Sequence, residues 1–139
     1  MTDPPEGLHH VLLTVRDVDV SAAWYEQVLG LTPLKRFPAD DTIGGKVLYR
    51  LATGTMVGMV AHRVGTGDGF DELRTGMDHL AFTVADRAAL QRWAVRLDEL
   101  EIAHSAPAAA IGGEVIVFRD PDNIQLQLWA PTSTAAPSR

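Results

Sequence analysis

The sequence predicts an α+β chain built from two tandem copies of one strand-helix-strands unit. Three observations predict it: a self-match at a shift of 69 residues, an alternating apolar strand that opens each copy, and an amphipathic helix that follows each strand. At that shift Leu8 to Asp17 lies over Met77 to Asp86, so that His10 meets His79, Thr14 meets Thr83, Asp17 meets Asp86, Trp24 meets Trp93 and Leu31 meets Leu100. The match returns near the end of each copy. There, strands near 46–51 and 55–61 around the turn 52–54 lie over strands near 114–120 and 124–130 around the turn 121–123.

Each element has its own warrant. In the opening strands His10, Leu12 and Thr14 point to one face and Val11, Leu13 and Val15 to the other, and His79, Ala81 and Thr83 oppose Leu80, Phe82 and Val84 in the same way. His9 is expected to point away from His10. Asp86 is placed to cap a helix carrying Leu90, Trp93, Leu97 and Leu100, and the first helix is expected to begin near Asp19 or Ser21 and to stop at Gly30. Trp24 and Trp93 sit on those apolar stripes and are expected in the core. In the last strand Ile124, Leu126 and Leu128 share the helix side, which leaves Gln125, Gln127 and Trp129 on the open side with the histidines. Residues 8–62 form the first module, glycine-rich and acidic 63–76 the connection, 77–131 the second module, and 132–139 a small-residue tail expected to be mobile, as are residues 1 to about 6.

Composition narrows the function. The 139 residues carry 12 basic and 18 acidic side chains, a formal charge of −6, with no basic cluster, so nucleic acid is not an expected partner. The chain has no cysteine, which leaves His, carboxylate and amide groups as metal donors. No apolar run approaches the roughly 20 residues of a membrane helix, and Met1 to Gly7 has no basic start or apolar stretch, so a cytoplasmic location without membrane contact is expected.

The open faces collect the candidate site. Two equivalent strands would bring His10 and His79 together across a shared concave sheet, the start of a divalent metal site, with Gln127 from the last strand as the next candidate. The repeat partner of Gln127 is Gly58, which has no side chain to offer, and His62 shares the parity of Gly58 at the strand end. Leu12, Thr14, Gly58, His62, Ala81, Thr83, Gln125 and Trp129 are expected to line the cleft, and Trp129 either stacks on a flat ligand or forms a rim. Glu114 is read as a solvated charge at a strand end.

Three segments carry a resemblance: His10 to Val15 leading through Asp17 to Trp24 to Leu31, then Asp78 to Phe82, and Phe118 to Leu128. Together they resemble the vicinal oxygen chelate superfamily, which includes glyoxalase I, extradiol dioxygenases, methylmalonyl-CoA epimerase, and the fosfomycin and bleomycin resistance proteins. The resemblance implies paired βαβββ modules around a U-shaped cleft, a homodimer, a small-molecule substrate or ligand, and, in metal-dependent members, ligands at the positions of His10 and His79. A glutamate commonly stands where this chain has Gln127. Two functions follow: a lyase, isomerase or dioxygenase using Fe, Mn, Zn or Ni, or a metal-free protein that sequesters an antibiotic or metabolite.

Overall fold

The strand β1 (His10–Thr14) lays Val11 and Leu13 against the interior and leaves His10, Leu12 and Thr14 exposed, which is the alternation of a half-buried strand. It runs into helix α1 (Val18–Leu29), then β2 (Pro33–Phe37), β3 (Ile43–Arg50) and β4 (Met56–His62). The pattern then repeats as β5 (Leu80–Thr83), α2 (Arg87–Glu99), β6 (Ala108–Ala110), β7 (Gly113–Arg119) and β8 (Gln125–Pro131). These elements come from a computed structural model, in which residues 1–132 are described. The chain divides into two compact units between Asp68 and Gly69.

Each unit holds one mixed four-stranded sheet, ordered β1-β4-β3-β2 in the first and β5-β8-β7-β6 in the second. In both, the opening strand runs parallel to the last one and the rest are antiparallel. The registers of the opening strand and along most of the last two strands obey the shift of 69: Leu12 faces Gly58 as Ala81 faces Gln127, and Val47 faces Met59 as Ile116 faces Leu128. A duplicated pairing register is stronger evidence of a repeated fold than shared residue types, because a one-residue slip would turn every side chain over.

The helices cover one face of each sheet. Asp17, and not Asp19 or Ser21, caps α1: its carboxylate accepts from the amides of Asp19 at 2.9 Å and Val20 at 3.1 Å. Asp86 caps α2 through the amide of Ala89 at 2.7 Å. Gly30 ends α1 with φ of 69°, a left-handed conformation that a side chain would strain. Leu90 and Leu97 of α2 are fully buried, each worth about 1.5–3 kcal/mol against exposure.

One expectation about packing is corrected. Trp24 and Trp93 are only half-buried, while Tyr25, at 0% exposure, takes the interior position of α1 beside Ala22 and Val28. Trp24 and Tyr25 are both in helical phase with Val28, and the small residues Ser21 and Ala22 make room for Tyr25. The connecting segment 63–76 is held in part by hydrogen bonds to the closing hairpin. The amide of Phe70 donates to the Asp122 carbonyl at 2.7 Å, and the Asn123 side chain donates to the Phe70 carbonyl at 3.1 Å. Thr132, expected in the mobile tail, is hydrogen bonded to the Gly112 carbonyl at 2.8 Å, and the rest of that tail, 133–139, lies outside the described residues. Among the described residues no helix is long and apolar enough to cross a membrane.

Candidate functional site

The second unit contains a hollow of about 510 Å³ on the face of its sheet opposite α2. His79, Ala81 and Thr83 line it from the opening strand, Gln127 and Trp129 from β8, and Val115 from β7, with Ala110 and Ile111 closing one side. The alternation of β5 and β8 makes this possible: Ala81 pairs with Gln127 and Thr83 with Trp129, so their side chains rise together from adjacent strands. Gln125, two residues before Gln127, does not line the hollow.

His79 lies one residue before β5 and is oriented by its neighbour. Its Nδ1 is 2.6 Å from Oδ1 of Asp78, so the carboxylate accepts from Nδ1–H, and in the neutral ring the lone pair falls on Nε2. Asp78 is held in turn by Gln125, whose amide donates to Asp78 Oδ1 at 3.1 Å and to the Asp78 carbonyl at 3.3 Å. On the same face Arg119, paired with Gln125 across the strands, forks onto Glu72 at 2.9 and 2.6 Å. That guanidinium holds the Glu72 carboxyl down to about 2.

The equivalent face of the first unit is different. His10 begins β1, and its Nδ1 is 2.8 Å from Nδ1 of His9, with the rings edge to face at 5.1 Å between centroids. His9 therefore stands beside His10, not opposite it, because the alternation of the strand has not yet begun at residue 9. At Gly58 a Cβ would meet the Val47 carbonyl oxygen and Leu48 Cδ2 at 2.6 Å and Leu12 Cδ2 at 2.7 Å, so two leucines close over the position where the second unit carries Gln127. Val60 stands where the second unit has Trp129, Thr14 remains exposed, and His62 is exposed at the end of β4, paired in register with Ile43. Lys35 and Lys46 lie over the Phe37 ring at 4.9 and 4.3 Å.

Glu114 is on the helix side of β7, 3.4 Å from Arg87 in an ion pair, and takes no part in the hollow. Sequence reasoning missed Asp78 and the wall at Ala110, Ile111 and Val115. The signal for Asp78 is a carboxylate next to a histidine, and since β5 starts only at Leu80, strand alternation does not turn the two side chains to opposite faces. The wall had no signal, since β6 is three alanines.

The donors suit some ions better than others. Among the described residues no three His, Asp or Glu side chains gather as a carboxylate-rich metal site would, and the Gln127 amide makes no hydrogen bond. Imidazole nitrogen with an amide oxygen fits a borderline divalent ion such as Zn, Fe or Ni, and fits Mg or Ca poorly, because those ask for several charged oxygens.

Two strand-helix-strands units with registers in common define a duplicated βαβββ fold, and the comparisons place it. Residues 7–128 match the profile of the Glyoxalase/Bleomycin resistance protein/Dioxygenase superfamily, and the chain belongs to that family. A solved glyoxylase/bleomycin resistance protein/dioxygenase domain from Frankia sp. EAN1pec is 34% identical, with a TM-score of 0.82 over 92% of this chain and 99% of that one. The fold is shared with lactoylglutathione lyase from Agrobacterium tumefaciens, at 20% identity and a TM-score of 0.70 over 92% of this chain and 96% of the other. It is shared also with the fosfomycin resistance protein FosX from Listeria monocytogenes, solved with Mn(II) and sulfate, at 20% identity and a TM-score of 0.70 over 94% and 96% of the two chains. A Bacillus subtilis (strain 168) protein, MhqA, whose name assigns it provisionally to the ring-cleaving dioxygenases, is 26% identical over 133 residues, covering 89% of this chain. This chain spans only 40% of that relative's length.

Proposed function

We propose that the protein is a metal-dependent enzyme acting on a small organic molecule with adjacent oxygens, and that His10, His79 and Gln127 are the donors for a divalent ion. The observation that carries this reading is the imidazole of His79 at the edge of an otherwise largely apolar hollow, with Nδ1 bound to Asp78 and Nε2 left as an electron-pair donor. A pocket that only sequesters a ligand has no need of a histidine oriented by a carboxylate. When bound, the ion supplies a Lewis acid that polarises the substrate's oxygens. The chain's own groups do the rest. Asp78 orients His79, Thr83 and Gln127 offer hydrogen bonds to polar atoms of the substrate, and Ala81, Ile111, Val115 and Trp129 exclude water and set its shape.

The test is calorimetric titration of chelator-treated protein with Zn(II), Fe(II), Ni(II) and Mn(II), beside Gln127→Glu and His79→Ala. The reading requires binding by the wild type, loss of about tenfold or more in His79→Ala, and tighter Mn(II) binding in Gln127→Glu, because the substitution adds the anion that hard ions prefer. Silence with all four ions overturns it. One observation favours the second reading, a metal-free binding protein: Gln127, facing Ala81 in the register, offers a neutral amide and no carboxylate to the hollow. Thermal-shift screening against flat aromatics and cationic glycopeptides separates the two, since only the binding protein is stabilised without added metal.

A further inference from the structure

The two repeat-related histidines share a position but not a setting. Counting back by 69, Asp78 corresponds to His9 and Gln125 to Met56. The second unit therefore has both an anionic acceptor for its histidine and an amide that braces the acceptor, and the first unit has neither. The brace is specific in geometry: Gln125 is the first residue of β8, its Nε2 reaches both the side chain and the carbonyl of Asp78, and Arg119 stands opposite it in the register.

From this we infer that Asp78 and Gln125 are positioning residues that lock His79 as the Nδ1–H tautomer, whereas His10 has no such lock. The side chains of His79 and Asp78 are 39% and 67% exposed, so the pair adds little to fold stability. Its effect is on orientation. A carboxylate accepting from one ring nitrogen fixes which nitrogen carries the lone pair, and losing such a partner costs about 10–100-fold in metal affinity. Gln125 acts one step further out, keeping the Asp78 carboxylate turned toward the ring when solvent competes for it. The tautomer stands on geometry alone, and the consequence for affinity rests on the metal-dependent reading proposed above.

The experiment is imidazole nitrogen NMR of uniformly ¹⁵N-labelled protein, metal-free, at about pH 8.5, above the ordinary histidine range. His79 and His10 are assigned by loss of signal in His79→Ala and His10→Ala. In wild type His79 gives the Nδ1–H pattern alone. Asp78→Ala shifts it to a mixture of tautomers, Gln125→Leu moves it part of the way, and Asp78→Asn, which keeps an acceptor oxygen, retains more of the wild-type pattern than Asp78→Ala. Zn(II) affinity measured on the same variants falls about 10–100-fold for Asp78→Ala and by less for Gln125→Leu. The inference is overturned if wild-type His79 carries its proton on Nε2, or if Asp78→Ala leaves the pattern unchanged while the protein remains folded by circular dichroism. Absence of Zn(II) binding with the tautomer locked in wild type and released in Asp78→Ala supports the lock and overturns only the metal reading.

Discussion

The first and second units share strand order, the registers of the opening strand and the last two strands, and an aspartate cap at each helix start, while the open face of the second carries polar side chains around a hollow. The difference lies in a few positions on one face. Where the second unit has Asp78, Gln125, Gln127 and Trp129, the first has His9, Met56, Gly58 and Val60. Leu12 and Leu48 close over Gly58, whereas the shorter Ala81 leaves room beside Gln127. Duplication thus supplies two similar scaffolds, and a small number of side chains on the open face decides whether leucines or a polar group stand at the position of Gln127. The buried faces, which must pack against helices, kept their apolar pattern in both.

The comparison can be broken or sharpened by substitution, and the largest effect is expected in the cores. Val28 and Leu97 are equivalent positions on α1 and α2, both at most 2% exposed. Leu97→Ala is expected to cost about 3 kcal/mol and Val28→Ala about 2, since the valine change removes fewer buried carbons. Denaturant midpoints of the two variants check the order. Next comes the contrast on the open faces. Gly58→Ala forces a Cβ against the Val47 carbonyl and is expected to cost about 2 kcal/mol, whereas Gln127→Ala at the hollow changes stability by less than about 0.5. Equal losses at both would mean that the hollow of the second unit is as tightly filled as the first unit's face.

Smaller effects are expected at the helix caps. Asp17→Ala and Asp86→Ala each remove a cap worth about 1 kcal/mol, with Asp17 the costlier because it accepts from two amides to the one of Asp86. Thermal unfolding of the two single variants tests the ranking. The smallest effect concerns the arginines. Arg119 is clamped on Glu72, while its repeat counterpart Arg50 is exposed and makes no ion pair among the described residues. Because Arg119 lowers the Glu72 carboxyl from 4.5 to about 2, the pair's contribution is complete above about pH 4.5 and is lost as pH falls toward 2. The stability gap between wild type and Glu72→Gln should therefore close across that interval, and Arg50→Gln should show no such acid dependence.

Much of this architecture was legible because strands and helices report burial through periodicity. The alternation at His10 to Val15 and at Ile124 to Trp129 assigned faces correctly, and the shift of 69 forecast two equal registers. Periodicity fails where the chain leaves a regular element. His9 and Asp78 stand just ahead of their strands, so the rule of opposite faces did not apply to either, and the partners of both histidines went unseen. Trp24 shows a second limit: residues adjacent on a helix can both fit a stripe of three- and four-residue steps, and packing alone chooses between them. Ile111, 98% exposed at the tip of the β6–β7 hairpin, shows a third, since its place beside the hollow depends on how a hairpin of small residues bends.

The turn at Asp120 has a consequence for where the second half of the chain begins. Its carboxylate accepts from the amides of Asp122 and Ile124, and the turn so shaped grips Phe70 through Asp122 and Asn123. Residues some fifty positions apart are thereby stitched together, so that the closing hairpin fastens the strap by which its own unit is entered. A gene fragment cut at the start of the visible repeat, near Met77, would discard that strap along with Glu72. One cut just ahead of Gly69 would carry its own fastening.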